Sequence, residues 1–383
     1  MNILVNGMAL TGLLTGVSRY VRCLYNELQD ISDTSVTYFT GPVANSEMPL
    51  QAEAGAWCKF TERIWQLPDP VVTALRVLHW RYFEIRLRRC CRHKRFDIYH
   101  ETAFFPAAIK DIPVVYTIYD LSLIKHRKEH PRERLWFFDL FFKRRLPYAS
   151  HILTISEYVR NEIIEDIGLP SHLVTSIPLA PDPIFYPRSR AEVSEVLKKR
   201  GWPEEYILFV GTLEPRKNLS LLVRALNIAK NKIPLIMAGW QGWGDKKWMQ
   251  LIDEQKLQGN IVFTGHVDEE TLACLYTGAS AFVYPSLYEG FGLPIIEAMA
   301  CGSPVVCSNV SSIPEVAGDA ALQINPADEE DIAHALDRVM TDSVLRQTLI
   351  QRGFERAKDF SWRETAVKTL EVFAQVAEQN SGR

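Results

Sequence analysis

Several signatures of other protein classes are missing from this chain of 383 residues. It contains neither the G-x-G-x-x-G fingerprint nor a G-x4-G-K-[ST] loop, and the missing fingerprint disfavours a Rossmann dehydrogenase. No apolar run reaches about 18 residues, the length that a membrane-spanning helix needs. The first residues, MNILVNG, show no basic segment or cleavage site of a signal peptide. We therefore expect a cytoplasmic protein.

Cysteine is scarce, and its spacing follows no known framework. The seven cysteines form no C-x-x-C pair and no metal-ligand pattern; they stand at positions 23, 58, 90, 91, 274, 301 and 307. An odd count of this kind fits a reducing compartment better than a set of disulfides. The chain also has no Asp-x-Asp triplet.

Composition bounds the size of the fold and the kind of partner. Hydrophobic residues make up 47% of the chain, and its length suits about two domains with separate cores. The net charge of −3 argues against nucleic-acid binding. This average hides two unlike halves, because residues 1–190 carry 24 Lys and Arg against 20 Asp and Glu, and the remainder carries 19 against 26. A mildly basic first half suits contact with an anionic surface.

One scheme of strand, glycine loop and helix occurs twice. The chain opens with an apolar strand at 3–5, a loop at 6–16 and an amphipathic helix at 17–29, and the scheme returns at the strand 206–210. The proline-rich segment 176–187 can extend neither a helix nor a central strand, so it marks the crossing between domains. We predict an α/β protein with two Rossmann-like, doubly wound domains, 1–182 and 183–361, and a last helix at 362–383.

The stretch YPSLYEGFGLPIIEAMACGSP, residues 284–304, carries the strongest signal of a ligand site. Its glycines let a ligand approach the main chain, and we expect a helix to begin at Pro294. The first turn of a helix leaves N–H groups at the positive end of its dipole. Such a start predicts an anion site, suited to a diphosphate. The amides concerned are those of Gly290, Phe291, Gly292 and Leu293.

Two carboxylates flank this site. Glu289 precedes the glycines, and Glu297 lies eight positions later, about two turns into the helix. An isolated pair of this kind is usually a turn residue and a solvated helix residue. The apolar neighbours of Glu297 favour burial instead, and a buried carboxylate needs a partner such as the hydroxyls of a ribose.

The motif EGFGLPIIEAMACGSPVV, together with GTLEPRKNLSLLVRA at 211–225, closely resembles the donor-site signature of the GT4 family of retaining glycosyltransferases. The resemblance covers essentially the whole chain and is strongest at 206–317. It implies the GT-B fold, in which two Rossmann-like domains face a deep interdomain cleft and a final helix crosses back to the first domain. It also implies a metal-independent enzyme with no cofactor.

The resemblance assigns roles to individual residues. Arg216 and Lys217 would hold the diphosphate of a nucleotide sugar and stabilise the negative charge that grows on the leaving group. Glu289 would lie beside the sugar ring as a catalytic residue, and Glu297 would hold the ribose. Backbone contacts with the donor are implied at Gly16, Gly211, Thr212, Val267 and the glycine-loop residues 290–293.

One departure from the family pattern concerns the sugar site. GT4 relatives commonly carry His-Asp after the strand that begins near Ile112, and this chain has Tyr119-Asp120. A tyrosine donates a hydrogen bond but lacks the charge and base character of histidine near neutral pH. Tyr119 is therefore a candidate sugar contact, and Asp120 would orient neighbouring groups. The preceding strand, DIYH at 97–100, is predicted to be buried and to end in polar residues, where ligands of open α/β sheets gather. The alternative for His100 and Glu101 is ordinary loop polarity.

The LEPRKN turn and the S-S-I-P-E segment at 311–315 look most like bacterial GT4 mannosyltransferases of O-antigen and exopolysaccharide assembly. The resemblance therefore implies a hexosyltransferase that moves mannose from GDP-mannose to an oligosaccharide or lipid-linked acceptor. Three alternatives stay open: a UDP-sugar donor, a nucleotide-sugar epimerase of GT-B shape, and a non-catalytic partner that binds a nucleotide sugar.

Two basic, aromatic segments leave membrane contact open. Residues 81–95 read RYFEIRLRRCCRHKR, and residues 124–148 combine basic residues with WFF and LFF. Each pattern fits an amphipathic helix at a membrane surface. Each also fits a helix that packs its aromatic rings inside and presents Lys143, Arg144 and Arg145 to water. Peripheral contact with the inner face of the plasma membrane is therefore an expectation that the sequence does not decide.

Overall fold

The computed structural model describes residues 1–12, 15–49, 67–244 and 247–381. Part of the predicted first glycine loop, Leu13 and Leu14, lies outside these ranges, and so does Cys58. The chain divides into two compact units, which are Met1–Leu179 with Trp362–Arg383, and Ala180–Ser361. The boundary after Leu179 falls inside the proline-rich segment 176–187.

Among the described residues of the first unit, seven strands form one sheet in the order β3-β2-β1-β4-β5-β6-β7. The strands are β1 Asn2–Asn6, β2 Ser35–Phe39, β3 Ala44–Asn45, β4 Ile98–Glu101, β5 Val114–Ile118, β6 Ala149–Thr154 and β7 Val174–Ser176. The helices are α1 Gly16–Ile31, α2 Asp69–His93, α3 Ser122–Lys125, α4 Arg132–Arg145 and α5 Glu157–Glu162. Neighbouring strands are parallel, apart from the pair β2 and β3.

A local signal in the sequence explains where α1 begins. The N–H of Thr15 donates to Ser18 Oγ at 2.6 Å, and the N–H of Ser18 donates back to Thr15 Oγ1, which together form a capping box. The helix then buries Val21, Leu24 and Leu28 along one side. The predicted amphipathic helix at 17–29 is confirmed, and it extends by one residue at its start and two at its end.

In the described part of the second unit, six strands form a parallel sheet in the order β10-β9-β8-β11-β12-β13. The strands are β8 Ile207–Val210, β9 Leu235–Ala238, β10 Ile261–Gly265, β11 Ala281–Tyr284, β12 Val305–Ser308 and β13 Ala321–Ile324. The helices are α6 Arg190–Arg200, α7 Leu219–Ile228, α8 Lys247–Glu254, α9 Glu269–Gly278, α10 Leu293–Ala300, α11 Ile313–Ala317, α12 Glu329–Thr341 and α13 Ser343–Lys358. Strands β8, β9, β11 and β12 are buried along their length, as a parallel sheet covered on both faces requires.

The last helix, α14 Trp362–Ser381, belongs to the first unit. Its Trp362 ring packs against Tyr20 of α1, and Phe373 meets the His100 ring edge-on at a centroid distance of 5.3 Å. The hydroxyl of Thr365 donates a hydrogen bond to the Pro178 carbonyl at 2.8 Å. The first domain is therefore built from both ends of the chain, and the second domain lies between them in sequence.

Helices α2 and α4 both pack their aromatic rings against Phe105, which follows β4. Phe137 and Phe141 of α4 lie 5.1 and 5.2 Å from the ring of Phe105, and Trp80 of α2 lies 4.7 Å from the same ring. This packing explains the WFF and LFF runs, whose phenylalanines are all buried. None of the described helices is long and apolar enough to cross a membrane.

The end of α4 differs from the expectation that three cations face water. Arg145 is only 9% exposed, and its Nη2 lies 2.8 Å from a carboxylate oxygen of Glu84 on α2. The prediction is wrong for Arg145 because Glu84 is itself buried and needs a positive partner. Lys143 and Arg144 are exposed as expected.

Candidate functional site

The turn that carries Arg216 and Lys217 lies between β8 and α7. It forms a short 3-10 helix, Pro215–Lys217, and ends at Asn218 with a left-handed φ of 59°. The Asn218 side chain donates to the carbonyls of Pro285 and Pro326 at 3.2 and 2.6 Å. These bonds tie the turn to the segments that follow β11 and β13 and so hold the turn that carries both cations.

Lys217 is buried against the predicted catalytic carboxylate. Its Nζ lies 2.5 Å from Glu289 Oε1 and donates to the Tyr284 hydroxyl at 2.9 Å, while the residue is 7% exposed. Burial alone would lower the pKa of Lys217, but Glu289, Tyr284 and Glu214 together outweigh it and raise that pKa. Burial alone would raise the pKa of Glu289, but Lys217 and Arg216 outweigh it and lower that pKa. Both side chains are therefore charged at neutral pH.

Arg216 is held by three groups of the same site. Its Nη2 lies 2.5 Å from Glu214 Oε1, and its Nη1 donates to the Tyr288 carbonyl at 2.7 Å. The same Nη1 lies 3.9 Å from the second oxygen of Glu289. The backbone adds a further tie, because the N–H of Leu287 donates to the Arg216 carbonyl at 2.8 Å.

Two serines hold the loop that carries Glu289. The Glu289 N–H donates to Ser311 Oγ at 3.1 Å, and the Ser312 hydroxyl donates to the carbonyls of Glu289 and Phe291 at 2.9 and 3.2 Å. Ser311 adopts a left-handed φ of 57°, which an ordinary residue adopts only where its surroundings require it. Sequence reasoning used the S-S-I-P-E segment only as a mark of the sugar donor and missed this supporting role.

The predicted glycine-loop helix begins where Gly292 turns the chain. Gly292 has a φ of +104°, and α10 starts at Leu293, one residue before the predicted Pro294. Phe291 is 3% exposed and meets Phe360 edge-on. Its side chain therefore serves packing, and only the main chain of this loop is left to face a ligand, as predicted for the amides of residues 290–293.

Glu297 lies buried in the second unit, on α10. It is 1% exposed, and one of its carboxylate oxygens accepts a hydrogen bond from the Tyr276 hydroxyl at 3.0 Å. The expected burial of Glu297 is confirmed, and its observed hydrogen-bond partner is a tyrosine. Its role towards a ribose stays a prediction.

Gly211 and Thr212 follow β8, and Val267 follows β10. A Cβ on Gly239, at the end of β9, would lie 2.0 Å from the Gly211 carbonyl oxygen, so Gly239 allows the two loops to touch. Gly211 itself has a φ of +153°, and its N–H donates to the Ala238 carbonyl. Val267 is partly buried just before α9. These loops lie at the carboxyl ends of neighbouring parallel strands, where ligands of such sheets bind.

Gly16 stands at the exposed N-terminus of the sixteen-residue helix α1 in the first unit. A Cβ built on it meets nothing within 4 Å among the described residues, and its φ is not in the left-handed region. The fold therefore gives no reason for glycine here, whereas an anion that approaches the first amides of the helix would.

Tyr119 and Asp120 follow β5 in the first unit. The ring of Tyr119 lies edge-on to Tyr20 at 5.6 Å, and its hydroxyl is buried with no hydrogen-bond partner in the described part of the chain. Burial raises the pKa of Tyr119 well above its usual value, so it can act only as a neutral hydroxyl. Asp120 Oδ1 accepts from the Ser122 N–H at 2.8 Å, which forms an Asx turn just before the short helix α3.

The predicted buried strand at 97–100 is confirmed as β4, which includes His100 and extends to Glu101. The alternative of ordinary loop polarity is wrong for both residues, because both are fully buried. The Nδ1 of His100 lies 2.7 Å from the Tyr25 hydroxyl, and burial lowers the pKa of His100 to about 3. It is therefore neutral. Glu101 accepts hydrogen bonds from Asn6 Nδ2 at 2.6 Å and from the Tyr99 hydroxyl at 2.8 Å. Burial raises the pKa of Glu101 to about 7.

The structure thus brings three predicted residues together within the second unit: Arg216, Lys217 and Glu289. Glu214 and Tyr284 complete the cluster, and sequence reasoning gave neither a role. The LEPRKN motif was the available signal for Glu214, since it places a carboxylate two residues before the arginine. Gly16, Tyr119 and Asp120 belong to the first unit. No group of three His, Cys, Asp or Glu residues in the described ranges is arranged to hold a metal ion.

The chain is similar to known proteins along most of its length. Residues 14–183 match the family described as Glycosyltransferase Family 4, and residues 193–356 match Glycosyl transferases group 1. The O-antigen chain mannosyltransferase B of Escherichia coli is 39% identical over 311 residues, which cover 79% of this chain and 80% of that protein. The chain belongs to the GT4 family of glycosyltransferases. The cluster of Arg216, Lys217 and Glu289 lies within the part of the chain that matches Glycosyl transferases group 1.

Two further mannosyltransferases match smaller parts of the chain. The serotype-specific mannosyltransferase WbdA of Escherichia coli is 31% identical over 61% of this chain, and the match spans 29% of that protein's own length. The O-antigen chain mannosyltransferase RfbU of Salmonella typhimurium is 28% identical over 55% of this chain and 57% of that protein.

Solved structures agree on the fold. Sucrose-phosphate synthase from Thermosynechococcus elongatus has a TM-score of 0.75 at 21% identity, and 98% of each chain is covered. Anabaena HepE in complex with UDP-glucose has a TM-score of 0.72 at 17% identity, and 100% of each chain is covered. The GT-B fold with two Rossmann-like domains is therefore confirmed for this GT4 chain, whereas the cleft between the domains stays a prediction.

Proposed function

We propose that this glycosyltransferase moves mannose from GDP-mannose to a hydroxyl of an oligosaccharide or lipid-linked acceptor in bacterial surface polysaccharide biosynthesis. The relative with 39% identity is named an O-antigen chain mannosyltransferase, and so is the relative from Salmonella typhimurium. The S-S-I-P-E segment that resembles such enzymes holds the Glu289 loop through Ser311 and Ser312. We therefore assign mannose from the names of these relatives, and we assign the chemistry from the side chains of the site.

The observation that carries the chemistry is the buried cluster of Lys217, Arg216 and Glu289. A nucleoside diphosphate leaves a glycosyl donor with growing negative charge, and fixed cations in a site with little water stabilise that charge. An arginine fork holds two phosphate oxygens, and a lysine acts as a compact charge. Both cations are 9% exposed or less and are already fixed, so little reorganisation is needed when the donor binds.

Without donor, Glu289 is the charge that balances Lys217. A diphosphate that binds the two cations would compete with this carboxylate for Lys217. Glu289 would then be available to the sugar, where it contacts hydroxyls and stabilises positive charge at the anomeric carbon. We propose front-face substitution with retention, in which the bond from the anomeric carbon to the phosphate oxygen breaks, the acceptor oxygen bonds to the same face, and the leaving phosphate takes the acceptor proton.

Metal independence is part of this proposal, because Arg216 and Lys217 supply the positive charge that other enzymes take from a divalent ion. Transfer of radiolabelled mannose from GDP-mannose should continue at an unchanged rate in EDTA. Loss of turnover in EDTA and its recovery with Mg²⁺ or Mn²⁺ would overturn this part of the proposal.

A thermal-shift panel of GDP, UDP, ADP and their sugars tests the donor. A ligand that binds only the folded state raises the free energy of unfolding and therefore the melting temperature. At a ligand concentration of a hundred times its Kd, the gain in unfolding free energy is about 2.7 kcal/mol. We expect GDP and GDP-mannose to stabilise the protein most. Stabilisation by UDP compounds alone would replace the mannosyl assignment by a UDP-sugar donor, which HepE in complex with UDP-glucose exemplifies within this fold.

Product analysis separates the enzyme from its alternatives. A retaining mannosyltransferase gives an α-linked mannoside that an α-mannosidase removes. An epimerase would instead convert the nucleotide sugar without an acceptor, and a non-catalytic protein would bind the donor without consuming it. Extracted lipid-linked glycan from a polysaccharide-producing bacterium provides the acceptor.

A further inference from the structure

A basic cavity lies between helices α2 and α4 of the first unit. Its volume is about 390 Å³, and its walls include four arginines together with the apolar side chains of Leu140 and Phe141. The arginines are Arg81 and Arg88 of α2 and Arg144 and Arg145 of α4. Such a combination of guanidinium groups and apolar walls suits an anion that carries a hydrocarbon part.

The positive charge of this cavity is only partly balanced. Arg145 pairs with the buried Glu84 at 2.8 Å, and Arg88 Nε donates to the Ala108 carbonyl at 3.1 Å. Arg81 and Arg144 are exposed, and neither has a carboxylate within 4 Å among the described residues. Four guanidinium groups therefore share one carboxylate, and two of them are available to a phosphate.

An exposed apolar stripe runs along α2 beside the cavity. It consists of Val71, Leu75, Leu78, Tyr82 and Ile85, which are between 44% and 66% exposed. Their spacings of four, three, four and three residues place them on one side of the helix. These side chains have not been drawn into the core, which α2 reaches with its opposite side.

The stripe and the cavity form one surface. Leu78 and Ile85 lie three residues before and four residues after Arg81, so they are its neighbours on the surface of α2. On α4, Leu140 lines the cavity and is 41% exposed, and Trp136, one turn earlier, is 45% exposed. Apolar side chains therefore border the arginines on both helices.

We propose that this surface docks the first domain on a membrane that contains anionic phospholipid. A lipid phosphate would occupy the arginine cavity, and the apolar stripe would enter the boundary between headgroups and acyl chains. Basic helices with an apolar face bind membrane surfaces through these two contributions. The proposal goes beyond the reaction, since it holds for any sugar donor.

Charge decides between a membrane and a second copy of the chain. The four-three spacing of the stripe would also suit a helix-to-helix seam. From Asp69 to His93, however, α2 contains no acid other than Asp69 itself and the buried Glu84. A self-paired seam would place the arginines of α2 against one another with no carboxylate between them. An anionic lipid surface supplies the missing negative charge.

Vesicle flotation tests the proposal with purified full-length protein. We expect binding to phosphatidylcholine vesicles that contain phosphatidylglycerol, weakening as salt is raised, and little binding to phosphatidylcholine alone. The double variant Arg81→Ala and Arg144→Ala should bind roughly 25-fold more weakly, since each basic residue at an anionic surface contributes about fivefold. The matched control, Lys198→Ala with Lys199→Ala at the exposed end of α6, should bind like the wild type.

Two further variants separate the cavity from diffuse charge. Arg81→Lys with Arg144→Lys keeps both charges but removes the forks that hold a phosphate, so it should still bind several-fold more weakly. Leu78→Ser with Ile85→Ser should lose binding at least about tenfold, while Val344→Ser, at a 75% exposed position of α13, should not. Equal binding by the lysine variant and the wild type would overturn the phosphate site.

Other results would overturn docking altogether. These are equal binding to neutral and anionic vesicles, equal binding by all variants, or a dimer in solution that Leu78→Ser with Ile85→Ser dissolves. Donor-induced thermal shifts, measured on every variant, verify folding and keep this test separate from that of the reaction. If a double variant fails to fold, the single change Arg144→Gln on the exposed face of α4 serves in its place.

Discussion

Replacing Lys217 by Met should destabilise the second domain, because the change leaves a buried carboxylate without its main partner. The Nζ of Lys217 lies 2.5 Å from Glu289, and both side chains are 10% exposed or less. Breaking a buried pair by removing one member costs about 3–5 kcal/mol. Arg216 stays 3.9 Å from the other oxygen of Glu289, so we expect the lower end of that range, about 3 kcal/mol.

Differential scanning calorimetry measures this loss. In a domain of this size 1 kcal/mol moves Tm by about 2–4 °C, so the transition of the second domain should fall by about 6–12 °C. The double variant Lys217→Met with Glu289→Gln removes both charges and should recover part of the loss, since no unpaired charge remains. A fall below about 2 °C, or losses that simply add in the double variant, would refute a buried pair.

The same variant should change the response to pH in a defined direction. In the wild type the cations lower the pKa of Glu289 below 4.5. Its stabilising contribution is therefore complete above pH 4.5 and is lost as pH falls through the lower folded-state pKa. In Lys217→Met, the pKa of Glu289 rises, so Glu289 becomes protonated, and its unpaired charge is removed, at a higher pH than in the wild type. The Tm difference between the two proteins should narrow from about pH 7 to about pH 5.

Three further changes test single residues. Gly16→Ala should leave the free energy of unfolding unchanged or raise it by up to about 1 kcal/mol. The same change should weaken donor binding in thermal-shift titrations, and unchanged donor affinity would remove Gly16 from the site. The wild type should lose stability as pH rises from 5 to 8, because the folded protein keeps Glu101 protonated up to about pH 7 and the unfolded chain does not. Glu101→Gln has no such loss, so its free energy of unfolding should rise relative to that of the wild type by up to about 3 kcal/mol over this range. A Tm difference independent of pH would contradict the raised pKa. Ser312→Ala should cost about 1–2 kcal/mol and reduce kcat, because two buried carbonyls lose their donor, while Ser303→Ala, a buried serine whose hydroxyl has no partner in the described ranges, should do neither; equal effects in both would deny the loop-holding role of Ser312.

Local chemistry in the sequence was enough to predict much of the architecture. Alternating strands and helices predicted two doubly wound domains, and the proline-rich segment 176–187 predicted the boundary that the structure has after Leu179. Gly292 and Pro294 predicted a helix start within one residue of Leu293. These signals are short-range, because a left-handed glycine or a proline restricts the chain at its own position.

The sequence also carried the family, since the motifs at 211–225 and 289–306 are long enough to be specific. It named Arg216, Lys217 and Glu289 as site residues, and the structure brings these three together. Their contact joins positions 72 residues apart, Lys217 and Glu289. A local sequence pattern cannot predict a contact between residues so far apart in the chain. The contact forms because β8 pairs with β11 in the sheet.

Tertiary structure alone decided which polar residues are buried. His100 and Glu101 are neighbours in β4, and their sequence does not distinguish a loop from a strand end. The fold covers His100 with Tyr25 of α1 and Phe373 of α14, and it ties Glu101 to Asn6 of β1 and to Tyr99. Burial therefore lowers the pKa of His100 and raises the pKa of Glu101. The same holds for Arg145, which turns inward because Glu84 on another helix needs its charge. The protonation state and the ion-pair partner of a group depend on its neighbours in space. The sequence alone shows only the neighbours of that group along the chain.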